Sequence, residues 1–196
     1  MMNKCEANSV IEREVSNALS VLRKGGIILY PTDTVWGIGC DATDADAVAR
    51  IYALKRREDS KSMLALLDDK KSLQRWLDTV PQAALRLIDE AETPLTVIYD
   101  SPRGVAPNLI ATDGSMGIRI SGEEFTRRLC KELGKPLVST SANISGRPTA
   151  PLFSDIEPEI IGGVDYVVDY RRDDTTPRSP SRIVKVGNDD SVTIIR

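Results

Sequence analysis

The chain has 196 residues, of which 41% are hydrophobic and 28% are charged, and its formal net charge is −3. This composition is that of a globular protein, and no apolar run approaches the ~18 residues that a membrane span requires. Histidine is absent, which excludes catalytic triads and metal sites that depend on imidazole. The slightly negative charge argues against a nucleic-acid binder with a generally basic surface.

The length of the chain predicts a single domain over residues 1–196. Its N-terminus lacks the basic-then-apolar order of a signal peptide, so we expect a cytoplasmic protein with no membrane partner. Cys5, Cys40 and Cys130 are odd in number and far apart. Such spacing is typical of reduced thiols and offers no zinc-ligand pair, so we expect no metal held by protein side chains.

Helices and strands alternate along the first half of the chain. Apolar residues at helical spacing predict a helix from Val10 to Leu22, followed by the stop signal Gly25-Gly26. The next apolar run, 27–30, reads as a buried strand closed by Pro31. Asp44 can cap a second helix that reaches Leu54. A strand over 63–67 and helices near 70–77 and 81–91 follow.

The second half predicts more strands, some of them antiparallel. Strands are expected at 95–99 and 116–120, then a helix at 123–133 stopped by Gly134 and Pro136, and a strand at 137–139. Three further strands fall near 164–169, 181–186 and 192–195. Hairpin residues at 187–190 join the last two, whereas helices separate the earlier ones. The predicted fold class is therefore α+β with a mixed parallel and antiparallel sheet.

A polar turn, 31–39, directly follows the first predicted strand. Ligands bind beside strand ends in open sheets, but these residues also suit a proline-initiated turn that satisfies its own backbone groups. Gly37-Ile38-Gly39 further matches a loose dinucleotide fingerprint, which makes a dinucleotide-dependent oxidoreductase a distant alternative. No acidic strand end follows about twenty positions on, as ribose binding requires.

A run of cations closes the second predicted helix. In an extended segment Lys55 and Arg57 would point to one side, where, with Lys61 nearby, they would suit a triphosphate. The alternative is a solvated charge run at a helix C-terminus. No Walker-type loop occurs, so a bound nucleotide would be held by another arrangement.

Two other segments place polar groups beside strands. Residues 139–146 crowd hydroxyl and amide side chains before a glycine, which fits an anion- or ribose-holding loop or an ordinary serine-rich loop. In 115–120 the period of two places Met116, Ile118 and Ile120 on a core face and Arg119 opposite them. Arg119 would then be either a carboxylate clamp or the partner of a surface carboxylate.

Taken in order, five motifs resemble those of the YrdC family of threonylcarbamoyl-AMP synthases: YPTDTVWGIGCDA, LKRR, TPLTVIY, MGIRI and KPLVSTSANISG. They cover about residues 25–150, with a fainter match to residue 196. The resemblance implies three layers, a twisted mixed sheet flanked by helices, with a positively charged concave face. It also implies condensation of L-threonine, bicarbonate and ATP with magnesium, and a partner transferase that modifies tRNA.

The same resemblance implies roles for individual residues. The family's K-x-R and S-x-N motifs fall on four positions expected to be catalytic: Lys55, Arg57, Ser141 and Asn143. By similarity, threonine would be held by Thr34, Arg119, Ser139 and Ser181. The ATP side would be lined by Arg57, Lys61, Ser115, Ser141, Thr149 and Arg196.

The chain departs from the family pattern in places. Glu58 stands where a proline often follows the K-x-R motif, and Ala91-Glu92-Thr93-Pro94 replaces a Trp-Pro-Gly-Pro pattern. Leu66 occupies the position of a histidine in longer two-domain relatives, so the resemblance is to the short, single-domain class. A catalytically inactive protein of the same fold that binds tRNA or double-stranded RNA is the main alternative.

Overall fold

The computed structural model describes residues 4–57 and 63–196, of which residues 4 and 5 are described in backbone only. Six α-helices lie in these ranges: α1 (Lys4–Leu22), α2 (Ala45–Lys55), α3 (Leu73–Trp76), α4 (Gln82–Asp89), α5 (Glu124–Leu133) and α6 (Pro158–Gly163). Short 3-10 turns lie at Lys70–Ser72, Pro107–Leu109 and Phe153–Asp155. No helix within these ranges is long and apolar enough to cross a lipid bilayer.

Nine strands in the same ranges form one sheet in the order β7-β1-β2-β6-β3-β5-β4-β8-β9. Their bounds are β1 (Ile28–Tyr30), β2 (Gly37–Gly39), β3 (Leu64–Leu67), β4 (Leu95–Asp100), β5 (Ser115–Ile120), β6 (Leu137–Ser141), β7 (Tyr166–Val167), β8 (Arg182–Val186) and β9 (Val192–Ile194). The pairs β1/β7, β3/β5 and β4/β8 are parallel, and the other five pairs are antiparallel. The mixed sheet is confirmed.

Helices cover both faces of the sheet, which gives the three expected layers. One apolar cluster joins the sheet to α2, α3, α4 and α6, with Ile51 and Ile118 among its buried members. The other joins it to α1 and α5, through Val15, Phe125 and Leu66. Because successive side chains of a strand point to opposite faces, both clusters draw on the same strands.

The layer of α1 and α5 covers only part of its face. On β6, Leu137 belongs to that apolar cluster, whereas Ser139 and Ser141, which share its face, line an open pocket. On β5, Met116 and Ile118 pack into the opposite cluster, as the alternation predicts, and Arg119 faces the pocket. The uncovered stretch of the sheet is thus polar.

The dinucleotide fingerprint is corrected by the position of Gly37 to Gly39. These residues form strand β2, which pairs antiparallel with both β1 and β6. A Cβ on Gly39 would lie 2.3 Å from the Val138 carbonyl oxygen and 2.8 Å from the Tyr30 ring. The glycines therefore permit close packing inside a sheet and do not form the phosphate-binding turn at a helix N-terminus that the fingerprint requires.

The cysteine prediction is confirmed in part. Cys40 and Cys130 are buried and free. Burial in apolar surroundings raises the pKa of both thiols, which keeps them protonated. The side chain of Cys5 lies outside the described part of the chain.

Candidate active site

A polar pocket of about 170 Å³ lies where β2, β5 and β6 meet the segment that precedes β8. Seven residues that the sequence singled out line it: Thr34, Arg119, Ser139, Ser141, Thr149, Ser181 and Arg196. They come from five separate parts of the chain. Since no local constraint brings them together, this convergence is a property of the fold.

The β1–β2 turn supplies Thr34 and also the partner of Arg119. Asp33 Oδ1 lies 3.1 Å from Arg119 Nη2, and these side chains are 12% and 4% exposed. Asp33 Oδ2 accepts a hydrogen bond of 3.0 Å from the Gly122 backbone N–H, which fixes the carboxylate. Arg119 Nε is buried without a hydrogen-bond partner among the described residues. One side of the guanidinium is therefore anchored, and donor capacity remains for a ligand.

The other pocket hydroxyls are also held in place. The Ser181 and Thr96 hydroxyls lie 2.8 Å apart. The Ser181 carbonyl accepts a 3.1 Å bond from Arg196 Nη2, so the last residue of the chain is tied to this wall. A Cβ on Gly37 would approach the Ser139 hydroxyl to 3.2 Å. Gly37 thus leaves room beside Ser139 that a larger residue would fill.

Lys55 does not point along an extended segment, which corrects the geometry expected from the sequence. It is the last residue of α2, and Arg56 caps the helix in the left-handed conformation, with φ 50°. Lys55 is 1% exposed, and its ammonium donates to the carbonyls of Ser141 and Asn143, the latter at 2.6 Å. Lys55 therefore binds the backbone of the loop that follows β6.

Burial, together with the smaller effect of the nearby charge of Arg57, lowers the pKa of Lys55 to about 7. A neutral amine still carries two N–H donors, so Lys55 can hold both carbonyls in either protonation state. The main chain adds to this contact, because the Lys55 carbonyl accepts a 2.8 Å bond from the Ser145 N–H.

The Asn143 side chain also forms hydrogen bonds within the loop that follows β6. Its Nδ2 donates to the carbonyls of Ile144 and Arg147 at 2.9 and 2.8 Å, and its buried Oδ1 has no hydrogen-bond partner among the described residues. Asn143 does not line the pocket. Within the S-x-N motif, the structure places Ser141 in the pocket wall and Asn143 behind it.

Three other predicted residues are not among those that line the pocket. Ser115 is buried and bonded to Asp113 through its hydroxyl at 2.6 Å and its N–H at 3.0 Å, and the first of these bonds holds the pKa of Asp113 well below its usual range. Arg57 is half-buried, and desolvation lowers its pKa. Lys61 lies outside the described residues, so its role stays a prediction.

The sequence did not single out several residues that the structure brings to the site. Trp36 lines the pocket, and its ring packs against Phe153 in a tilted arrangement, with centroids 4.8 Å apart and an interplanar angle of 50°. Thr32 and Asp33 were interpreted only as members of a local turn, although Asp33 pairs with a strand 86 positions further on. The sequence indicates the polar turn and the strand arginine separately, but the pairing of Asp33 with Arg119 depends on tertiary structure.

The pocket has an anion-binding character. Its lining, within the described ranges, contains two arginines and several hydroxyls and no Asp or Glu side chain. No group of three or more Cys, Asp or Glu that could hold a metal lies in residues 4–57 and 63–196. This donor set suits carboxylate and phosphate oxygens.

The structure is a nine-stranded mixed sheet with a polar pocket on one face, within the described residues. Comparisons with known proteins identify the family to which this chain belongs. The family model described as "Telomere recombination" (Sua5/YciO/YrdC) matches residues 20–196. The threonylcarbamoyl-AMP synthase of Xanthomonas campestris is 34% identical over 181 residues, which cover 89% of this chain and 95% of the relative. The chain belongs to the Sua5/YciO/YrdC family.

Solved structures share the fold. Escherichia coli YciO superposes with a TM-score of 0.81 and 24% identity over 94% of this chain and 89% of its own. Sua5 of P. abyssi, crystallised with L-threonine, superposes with a TM-score of 0.79 and 22% identity over 89% of this chain. The match spans 51% of that Sua5 chain, so this chain corresponds to about half of it.

Proposed function

We propose that this protein is an L-threonylcarbamoyladenylate synthase, a nucleotidyltransferase that condenses L-threonine, bicarbonate and ATP to threonylcarbamoyl-AMP and pyrophosphate. The observation that carries the proposal is the convergence of Thr34, Arg119, Ser139 and Ser181 with Ser141, Thr149 and Arg196 in one anion-binding pocket. Curated relatives of nearly the same length bear the name threonylcarbamoyl-AMP synthase.

Threonine is bound at the wall formed by Thr34 and Arg119. The guanidinium, held by Asp33 on one side, receives the substrate carboxylate with its remaining donors. The hydroxyls of Ser139 and Ser181 complete this part of the pocket. The P. abyssi Sua5 that shares the fold was crystallised with L-threonine, which agrees with a site for this amino acid.

ATP occupies the neighbouring wall, which carries Ser141, Thr149 and Arg196. Arg57, Lys61 and Ser115 complete the ATP side as the bound nucleotide extends beyond the pocket. Magnesium would be held mainly by the nucleotide phosphates and water, because the pocket lining supplies no Asp or Glu side chain and Mg²⁺ commonly binds through substrate phosphates and water. When bound, it supplies charge neutralisation at the phosphates.

The reaction needs positioned charges more than a strong base. The threonine amine attacks the carbon of bicarbonate, so that a C–N bond forms and water leaves. A carbamate oxygen then attacks the α-phosphorus, and the bond to pyrophosphate breaks. Cationic and hydroxyl groups fixed before the reaction stabilise the charge that develops on the phosphates.

Lys55 and Asn143 serve this site by fixing the loop. Lys55 binds the carbonyls of Ser141 and Asn143, and Asn143 binds the carbonyls of Ile144 and Arg147. Together they hold the backbone that carries the Ser141 hydroxyl. Lys55 is thus a positioning residue, and Arg57 is the member of the K-x-R motif that acts on the phosphates.

The product is consumed in the cytoplasm by a transferase partner that moves the threonylcarbamoyl group to an adenosine of tRNA. The experiment that tests the proposal is mass spectrometry of reactions containing ¹³C-bicarbonate, L-threonine and ATP. An adduct of AMP and threonine that carries one ¹³C supports the synthase. A salt-dependent shift of tRNA with no such adduct would instead favour the RNA-binding alternative.

A further inference from the structure

The Thr32 hydroxyl uses all of its hydrogen-bonding capacity inside the β1–β2 turn. It donates to the Val35 carbonyl at 2.8 Å and accepts from the Thr34 N–H at 2.9 Å. It also lies 3.0 Å from the Thr34 hydroxyl. Thr32 is 2% exposed, so water does not compete for these contacts.

The direction of the hydroxyl–hydroxyl bond follows from counting hydrogens. A threonine hydroxyl has one hydrogen and two acceptor lone pairs. The hydrogen of Thr32 is committed to the Val35 carbonyl, which cannot donate. The Thr34 hydroxyl must therefore donate to Thr32, and its hydrogen then points away from the pocket.

We infer that Thr32 is a positioning residue that makes Thr34 present only acceptor lone pairs to the substrate. Thr34 lines the same pocket as Arg119. When Arg119 binds the carboxylate of a substrate, Thr34 then favours a substrate that places an N–H or O–H donor against its hydroxyl oxygen. This inference rests on the proposed function, since it specifies which groups of the amino acid the pocket recognises.

Both donors of L-threonine fit this requirement, namely its ammonium group and its side-chain hydroxyl. A group with lone pairs alone, such as a side-chain carboxylate, would face the lone pairs of Thr34 and be rejected. Without Thr32 the Thr34 hydroxyl rotates freely and can turn its own hydrogen into the pocket. Selectivity for the donor would then be lost while the shape of the pocket remained.

The test is calorimetric binding of L-threonine and of ATP to the wild type and to Thr32→Val, Thr32→Ala and Thr32→Ser. The Kd for threonine should rise roughly 3- to 12-fold in the valine and alanine variants, the range for one hydrogen bond. The Kd for ATP should stay within about 2-fold, and Thr32→Ser, which keeps the hydroxyl, should bind threonine within about 2-fold of the wild type. Adding Thr32→Val to a Thr34→Val variant should change little, because the two residues act through one bond.

L-2-Aminobutyrate, which lacks the hydroxyl of threonine, identifies the donor. If the wild type binds threonine more tightly than L-2-aminobutyrate and Thr32→Val loses that preference, the donor is the threonine hydroxyl. If Thr32→Val loses affinity equally for both amino acids, the donor is the ammonium group. Unchanged threonine binding in Thr32→Val, or an equal loss of threonine and ATP, overturns the inference. A loss in Thr32→Ser as large as in Thr32→Ala also overturns it, because methyl packing would then be the cause. Absence of threonine binding to the wild type contradicts the proposed function itself.

Discussion

Asp33 and Arg119 form a buried ion pair across 86 positions of sequence, with Oδ1 and Nη2 3.1 Å apart. The pair joins the β1–β2 turn to the centre of the sheet and turns one side of the guanidinium toward the pocket. Because both charges are largely removed from water, each depends on the other, and the loss of one partner leaves an uncompensated buried charge.

Asp33→Asn should therefore lower the free energy of unfolding by about 3–5 kcal/mol, the usual cost of breaking a buried pair. The control is Glu159→Gln, which breaks the exposed pair with Arg56 and should cost no more than about 1 kcal/mol. Urea denaturation of the three proteins gives both values. Equal, small losses would show that water screens the Asp33–Arg119 pair.

Arg119→Lys separates charge from geometry. Lysine keeps the attraction to Asp33 but loses the planar fork that binds a carboxylate through two bonds. Threonine affinity should fall by about 1.5–3 kcal/mol, or roughly 10- to 150-fold, whereas ATP affinity without threonine should barely change. Arg103→Lys, at an exposed pair with Asp78, is the matched control. An equal loss for both ligands in calorimetry would assign Arg119 to the phosphates or to the fold.

Lys55 should make stability depend on pH. Its folded pKa is about 7, below the ordinary value of 10.5. Between these values the unfolded chain binds the proton and the folded chain does not, so the stability contributed by Lys55 rises as pH increases from about 7 to 10. Lys55→Met removes the titration. The unfolding free energy of the wild type minus that of Lys55→Met should increase over this range, and a constant difference would show that the folded pKa is not lowered.

Gly39→Ala tests the packing of β2 against β6. An added Cβ would meet the Val138 carbonyl at 2.3 Å, and backbone cannot move away cheaply. We expect a loss of about 1–3 kcal/mol in the free energy of unfolding, as for other overpacked sites. Gly162→Ala is the control, because a Cβ there meets nothing within 4 Å. Thermal unfolding that is equally unaffected in both variants would contradict the close packing.

Most of the long elements follow from local patterns in the sequence. The predicted strands 95–99 and 116–120 correspond to β4 and β5, and the helix stop at Gly134 is the left-handed cap of α5. The helix predicted near 70–77 is instead a 3-10 turn followed by the four-residue α3, and α6 was not predicted. These short elements are stabilised by packing against the sheet, which local periodicity does not encode.

The site was predictable only in part, for a related reason. The alternation in β5 places Met116 and Ile118 in the core and Arg119 on the other face, as expected. Lys55 and Arg57 were expected to act together on phosphates, but the helix continues to Lys55 and turns its ammonium into the loop after β6. Residue type and spacing can indicate the chemistry of a site, whereas the partner of each side chain depends on contacts distant in sequence.

Pyrophosphate release tests the central claim most directly. The complete reaction contains ATP, L-threonine, bicarbonate and magnesium, and each component is withheld in turn. The account predicts rapid release in the complete mixture and a fall to background in every omission, because no adenylate forms until a carbamate oxygen is available. Release that continues at the same rate without threonine or without bicarbonate would contradict the proposed reaction.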